Sequence, residues 1–177
     1  MFKKIVIVLV VVIAAFLAYA ATRPATFEVS RSTVIAAPPQ RVYDLINDFH
    51  NFPQWSPWQK LDPAMQVTYS GPQNGVGSSY AWSGNKQAGK GSMKITEATA
   101  PGKIKMDLDF IEPFAASNTV DFVLAPEGSG TRVTWTMRGH SNFMVKVMSM
   151  FVSMDQTIGP DFERGLANLK TVAETAH

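Results

Sequence analysis

Side chains that commonly perform acid–base or metal chemistry are sparse in this chain. The three imidazoles belong to His50, His140 and His177, and no two of them have the spacing that places zinc ligands on one helix face. Asp107 and Asp109 occupy alternate positions of a strand pattern, which predicts a solvated face rather than a metal-binding pair. Cysteine is absent, so disulfides and thiolate chemistry are excluded. No metal, no cofactor and no catalytic residue is predicted.

Two short patterns indicate apolar contacts instead. Trp55 and Trp58 flank Ser56-Pro57, and their amphipathic rings would either gate the mouth of a cavity or plug a sheet edge. Five methionines surround the last predicted strand and the helix after it, where they would either fill a core or line an adaptable ligand cavity. These methionines are Met137, Met144, Met148, Met150 and Met154.

The N-terminal segment predicts a membrane anchor over residues 1–23. Ile5 to Ala21 is a run of 17 uncharged residues behind Lys3 and Lys4 and ahead of Arg23. A helix rises about 1.5 Å per residue, so this run reaches about 25 Å, within the range for a single span. The two lysines predict a cytoplasmic N-terminus by the positive-inside rule, which puts residues 24–177 on the outer side of the membrane.

A cleavable signal peptide is the alternative interpretation of this segment. Lys3-Lys4, the apolar run and Ala18-Tyr19-Ala20 fit the three regions of a secretory signal, with cleavage near Ala20. The run is longer than the ~7–15 residues usual for a cleaved apolar region, which favours an uncleaved span. Both interpretations export the domain, either tethered to the membrane or free in a periplasmic or extracellular space.

The charge of the domain offers no electrostatic reason for a nucleic-acid partner. The formal net charge of the chain is +2, but Lys3, Lys4 and Arg23 belong to the anchor. Without those three, 13 of the 16 Lys and Arg residues remain against 14 Asp and Glu residues. A nearly neutral domain lacks the basic surface that phosphate backbones require, so no nucleic-acid partner is predicted.

After the anchor, the residue patterns predict an α+β domain. Phe27 to Ile35 alternates as a first strand, although its apolar side is imperfect. Pro39 can stand in the first turn of a helix, and a second short helical turn is predicted from about Asn51. The first helix carries one apolar side, made of Val42, Leu45, Ile46 and Phe49.

From Gln66 onward the patterns predict an antiparallel meander of six strands, seven with the first. Residues Lys103 to Phe110 alternate most clearly, and Pro126 to Gly130 is expected to form a hairpin loop. A long C-terminal helix follows from about Phe143, with its apolar stripe facing the sheet and a kink expected at Gly159-Pro160. The inward side chains of the clearest strand are predicted to be Ile104, Met106, Leu108 and Phe110.

Several motifs together resemble a known family. They are Trp55-Ser56-Pro57-Trp58 with Asp62-Pro63, Gly75-Val76-Gly77 with Trp82-Ser83-Gly84-Asn85, Gly130-Thr131 before Val133-Thr134-Trp135, and Asp161-Phe162-Glu163 before Gly165-Leu166 and Asn168-Leu169. Over about Thr26 to Glu174 the chain resembles the membrane-tethered branch of the polyketide cyclase/dehydrase-like group in the SRPBCC (START-like) superfamily. The predicted element order is similar to that superfamily's helix-grip fold, in which a curved seven-stranded antiparallel sheet wraps a long C-terminal helix.

The resemblance implies an apolar cavity between the sheet and the C-terminal helix of a START-like domain at residues 24–177. The residues predicted to line this cavity are Trp55, Trp58, Trp82, Met106, Phe122, Trp135, Met144, Met148 and Phe151.

We expect the exported domain to bind a hydrophobic small molecule or lipid in this cavity without transforming it. One alternative is a cyclase- or dehydratase-like enzyme in which His140 or Asp121 moves a proton, and another is an envelope protein-interaction module. An apolar cavity without a polar cluster would favour carriage, and two convergent titratable groups inside it would favour catalysis. A filled core would favour the interaction module.

Overall fold

The computed structural model describes residues 2–141 and 143–175. Helix α1 (Phe2–Ala21) precedes strand β1 (Thr26–Ile35), and helices α2 (Pro39–Asn47) and α3 (Phe52–Trp55) follow. The next six strands are β2 (Gln66–Ser70), β3 (Ser79–Ser83), β4 (Lys90–Thr99), β5 (Lys103–Glu112), β6 (Ala116–Glu127) and β7 (Gly130–His140). Helices α4 (Phe143–Met148) and α5 (Met154–Thr175) come last. The predicted α+β fold with seven strands is confirmed.

All seven strands form one antiparallel sheet in the order β1-β7-β6-β5-β4-β3-β2. Strands β2 to β7 are joined in sequence order as a meander, and β1 returns to pair with β7, so the two ends of the domain meet in the sheet. The tight turn between β6 and β7 contains Gly128 at a φ of +59°, a left-handed conformation that glycine adopts without steric penalty.

The predicted inward face of β5 is confirmed. Ile104 and Met106 are buried and Leu108 is half-buried, whereas Asp107 and Asp109 between and after them are exposed. Successive side chains of a strand point to opposite faces, so one apolar set faces α5 while the aspartates face solvent.

Helix α5 packs against the inward face of the sheet, on β1 and beside Trp135 of β7. Its buried stripe consists of Phe162, Leu166, Leu169 and Ala173 with two glycines. One of these, Gly165, allows a close approach, since a Cβ atom there would lie 2.7 Å from Cζ3 of Trp135 on β7. The absence of a side chain at this position therefore brings the helix onto the tryptophan.

An ion-pair cluster explains the imperfect apolar side of β1. Arg31 lies on that side, and its guanidinium donates to Asp155 and to Glu163 of α5, both at 2.7 Å. The hydrogen bond from Arg31 lowers the pKa of Asp155 below its ordinary value. The arginine thus joins the first strand to the last helix.

The C-terminal helix is interrupted earlier than the sequence analysis predicted. The break falls at residues 149–153, between α4 and α5, whereas Pro160 lies inside α5. Ser153 caps α5 because its hydroxyl accepts from the Gln156 amide while the Gln156 side chain accepts from the Ser153 amide, each at 3.1 Å. This reciprocal Ser-x-x-Gln capping box starts a new helix.

Helix α1 is almost wholly exposed. Ala20 is its only buried residue. Among the described residues, this is the one helix long and apolar enough to cross a membrane, with a mean hydropathy of 2.7 over its most apolar stretch.

An aromatic cavity between the sheet and helix α5

A cavity of about 210 Å³ lies between the concave face of the sheet, α3 with the segment after it, and the first half of α5. Alternate residues of β5, β6 and β7 form its floor, because only every second side chain of a strand reaches this face. The floor residues are Met106, Leu108, Phe110, Val120, Phe122, Trp135 and Met137. Sites that hold drug-sized ligands measure ~300–1,000 Å³, so this volume suits a smaller molecule.

Trp135 is the centre of the aromatic wall. Its ring is stacked on Phe162 of α5, with centroids 4.0 Å apart and an interplanar angle of 11°. Trp55 and Trp58 each present an edge-on contact to Trp135 at 5.7 Å, and Phe122 lies 4.9 Å away. Three of these distances lie within the range of ~4.5–7 Å that is usual for stabilising aromatic pairs, and the stacked pair with Phe162 lies just below it, so the rings support one another.

Three of the four indole N–H groups on the lining have protein acceptors. Trp55 donates to the Leu45 carbonyl at 3.1 Å, and Trp82 donates to the Ala88 carbonyl at 3.0 Å. Trp58 donates to Oδ2 of Asp161 on α5 at 3.1 Å. Each bond fixes the orientation of one ring, so these tryptophans are a preformed part of the wall.

Two polar atoms on the lining lack a partner. The indole Nε1 of Trp135 and the amide Oε1 of Gln59 are both buried, and neither makes a hydrogen bond to any described residue. A buried polar group without a partner is rare in native proteins and calls for an explanation such as a bound molecule. A polar atom of a ligand that came within reach of either group would supply the missing hydrogen bond.

Titratable groups on the lining are few. Burial, with a smaller contribution from Tyr69, raises the pKa of Tyr80 to about 12, so its phenol stays protonated at neutral pH. Asp161 is the only carboxylate among the lining residues of the described structure. Its two oxygens accept hydrogen bonds from the Trp58 indole and from the Arg164 guanidinium. A protonated tyrosine and a paired carboxylate are poorly suited to serve as a general base.

The structure brings six of the nine predicted lining residues together on this cavity. They are Trp55, Trp58, Trp82, Met106, Phe122 and Trp135. Sequence reasoning missed Met65, Met93 and Ile158, although Met93 alternates with Ile95 on β4 as inward residues do. Phe162 was also missed, because its stacking on Trp135 depends on how α5 crosses the sheet.

Met148 and Phe151 do not line the cavity, which corrects the prediction. They are 60% and 73% exposed, and they lie in and just after α4, a helix that contacts α1. Their apolar spacing indicated a covered face, but spacing does not say which surface covers it. The side chain of Met144 lies outside the described part of the structure.

The groups named for proton transfer also lie away from the cavity. Asp121 is on the outer face of β6, where Oδ2 accepts from Arg138 at 2.7 Å. His140 is exposed at the end of β7. His50 is exposed, stacks on Tyr69 at 4.1 Å and bonds to Asp48 at 2.8 Å. Within residues 2–141 and 143–175, no three His, Asp or Glu side chains are grouped as a metal site would require.

A larger concavity of about 790 Å³ lies along β1, β5, β6 and β7. Its lining is largely charged or polar, and Arg138 there pairs with Glu28 at 2.7 Å. Such an ion-paired, open surface offers little apolar burial to a ligand. We therefore assign the candidate site to the smaller, enclosed aromatic cavity.

Comparisons with known proteins agree with this architecture. Residues 26–174 match the family described as polyketide cyclase / dehydrase and lipid transport. No curated protein matches the chain. A structure from Chromobacterium violaceum is similar with a TM-score of 0.60 at 17% identity, covering 87% of this chain and all of that one. Another from Mesorhizobium loti has a TM-score of 0.62 at 14% identity, covering 85% and 100%.

The fold also occurs in plants. The major latex-like protein 151 of Panax ginseng is similar with a TM-score of 0.61 at 13% identity, over 85% of this chain and 99% of that protein. Identities this low establish a shared fold alone. The family match, by contrast, spans most of the chain, including every strand and all but the last residue of α5. The chain therefore belongs to the polyketide cyclase / dehydrase and lipid transport family, with the SRPBCC-type helix-grip fold.

Proposed function

We propose that the domain binds a small apolar molecule with one polar group in the aromatic cavity and does not transform it. The observation that carries this proposal is the largely apolar and aromatic lining of the cavity, in which two residues, Trp135 and Gln59, each carry a buried polar atom without a partner. A ligand carbonyl, carboxyl or hydroxyl would satisfy the indole N–H, while the rings bury the rest of the molecule.

The size of the cavity favours a compact ligand. About 210 Å³ suits one or two rings or a short acyl chain better than a two-chain lipid. The four tryptophans, with Phe122 and Phe162 beside Trp135, supply flat apolar surfaces. A ring or an acyl chain of the ligand would be stabilised by burying its apolar surface against them.

Binding without reaction is supported by the chemistry of the lining. Tyr80, with its pKa of about 12, and the paired Asp161 are the titratable side chains there. General acid–base catalysis needs a group whose pKa lies near the working pH and within reach of the reacting atom. His140 and Asp121, the proton-transfer groups of the enzyme alternative, lie outside the cavity.

The proposal includes a membrane tether. Helix α1 exposes nearly all of its apolar residues, and an exposed apolar helix of 20 residues is stable in a lipid bilayer. Lys3 and Lys4 support a cytoplasmic N-terminus, with the domain on the outer side. Cleavage near Ala20 would release the same domain into the outer compartment.

Probe binding to residues 24–177 tests the cavity. This range includes every strand and α5, and it contains the whole of the family match at residues 26–174. N-phenyl-1-naphthylamine, an apolar fluorescent amine, should bind saturably. Ile158→Trp should weaken binding about tenfold or more by filling the cavity from α5, since overlap with bulky side chains removes the space a ligand needs.

Met148→Trp is the matched control, because the same new side chain is placed at an exposed position outside the cavity. It should leave the dissociation constant of the probe unchanged. If both variants bind the probe as the parent does, or if the parent binds none, ligand binding in this cavity is refuted. If the parent binds the probe and Ile158→Trp weakens binding, mass spectrometry of the natively purified parent domain would identify the natural molecule.

A further inference from the structure

The segment from α4 to residue 152, which we call the α4 segment, exposes more large apolar side chains than any comparable described stretch outside α1. Phe143 is 50% exposed, Met148 60%, Phe151 73% and Val152 54%. Large exposed apolar side chains concentrated in one short segment are typical of a surface that contacts a partner or a membrane.

The α4 segment lies beside the outer end of α1. The rings of Phe151 and Phe16 have centroids 6.0 Å apart, and the Nζ atom of Lys146 lies 3.4 Å from the carbonyl oxygen of Ala21, the last residue of α1. Phe16 is five residues before Ala21, which corresponds to about 7.5 Å along a helix. Phe151 is therefore placed beside α1 at a depth of about 7–8 Å from its outer end.

We propose that the α4 segment inserts into the outer lipid interface as a second membrane contact of this domain. The proposal rests on the span proposed for α1, because that span sets where the bilayer surface lies. Amphipathic segments at membrane surfaces bury their apolar side chains by about 5–10 Å into the boundary between headgroups and acyl chains. The depth of Phe151 falls within that range, and Lys146 near the end of α1 suits the headgroup level.

The sheet directs a second apolar element toward the same side. The start of β1 lies beside the end of β7, because Thr26 pairs with His140. The start of β6 lies beside the same end of β7, and Phe110 at the end of β5 pairs with Ala116 at the start of β6. The β5–β6 loop therefore lies at the end of the sheet where α1 enters and the α4 segment departs. Phe114 in that loop is 78% exposed. Two apolar elements at one end of the sheet would hold the domain against the bilayer rather than let it swing freely on residues 22–25.

Contact with lipid would also shorten the route of a ligand. Helix α5 begins directly after the α4 segment, and Ile158 in its second turn lines the cavity. An apolar ligand dissolved in the outer leaflet would reach the cavity wall along this segment without crossing much water, where its solubility is low.

Depth-dependent quenching in the full-length protein tests the insertion. The chain has no cysteine, so single cysteines can carry an NBD fluorophore without background labelling. We would label Phe151→Cys, Met148→Cys and two references: Leu9→Cys within α1, and Ser129→Cys in the β6–β7 turn at the opposite end of the sheet. The proteins are reconstituted in vesicles of equal parts phosphatidylcholine and phosphatidylglycerol, with or without doxyl-labelled lipid.

Doxyl lipid should reduce NBD emission about twofold or more at positions 151, 148 and 9, because collisional quenching requires contact with the acyl region, and should leave position 129 unchanged. Quenching at position 9 without quenching at 151 and 148 would overturn the inserted segment while the span stands. No quenching at position 9 would overturn the span and the insertion together. Probe binding by residues 24–177 is independent of both results, so failure of the cavity would be recognised separately.

Discussion

Helices α4 and α5 follow one another in the chain and both carry apolar side chains, yet they are covered differently. In α5, Phe162 and Leu169 are at most 1% exposed beneath the sheet. Just after α4, Phe151 is 73% exposed, and its ring lies beside Phe16 of α1. The comparison teaches that a periodic apolar face predicts that a surface will be covered, whereas tertiary structure decides what covers it.

The largest expected effect is a difference in stability between two Phe→Ala substitutions, one in α5 and one just after α4. Phe162→Ala should lower the free energy of unfolding of residues 24–177 by about 3–5 kcal/mol, because it removes a fully buried ring and leaves a cavity. Phe151→Ala should change the free energy by no more than about 0.5 kcal/mol, since its side chain is exposed. Urea titration followed by circular dichroism measures both, and similar losses in the two variants would show that the α4 segment is part of the core.

A smaller effect concerns how closely α5 approaches the sheet. Gly165→Ala should cost about 1–3 kcal/mol, because the new Cβ would lie 2.7 Å from the ring of Trp135. Alanine would otherwise stabilise a helix relative to glycine by about 1 kcal/mol, so the sign of the result is informative. Thr171→Ala, at an exposed position of the same helix, is the control for propensity alone. A stabilised Gly165→Ala variant would contradict the close contact between α5 and Trp135.

The smallest expected effect is a change in acid sensitivity. The pKa of Asp155 is lower in the folded chain than in the unfolded chain because Arg31 donates to it. The pair therefore stabilises the fold fully above the unfolded value of about 3.9, and this contribution is lost as the pH falls through the folded pKa. Asp155→Asn should accordingly reduce the loss of stability between about pH 5 and pH 3.

Lys146→Met in the α4 segment is the comparison for this measurement. Lys146 contacts a backbone carbonyl rather than a carboxylate, so its removal should leave the acid dependence unchanged. The acid dependence of both variants is obtained from the urea midpoints of unfolding measured at several pH values. If Asp155→Asn retains the full acid dependence, the ion pair with Arg31 does not contribute to docking α5 on β1.

Local patterns predicted the elements well. The alternation along Lys103 to Phe110 was sufficient to assign Ile104 and Met106 to the inner face, because strand geometry depends only on neighbouring residues. The start of α5 was also readable, since Ser153 and Gln156 form a capping box that the sequence displays. The sequence analysis did not use this signal and expected an interruption at Gly159-Pro160 instead.

The cavity was only partly predictable. Met106, Phe122 and Trp135 could be assigned to the inner face of the sheet, because the faces of the strands are periodic. The contribution of Met93 and Phe162 depends on which strands lie under α5 and at what distance, and those contacts join residues far apart in the chain. Met148 and Phe151 belong to the segment that packs beside α1, and all seven strands lie between α1 and this segment in the sequence.

The chain has four tryptophans, and all four line the same cavity. Nearly every photon that the protein emits after excitation of its indoles therefore originates at the wall of the candidate site. A bound molecule that changes the polarity around Trp135, or that accepts energy from the rings, would alter the emission spectrum of the unlabelled protein. Intrinsic tryptophan fluorescence would therefore report ligand binding in the cavity, and libraries of natural molecules could be screened against the unlabelled protein.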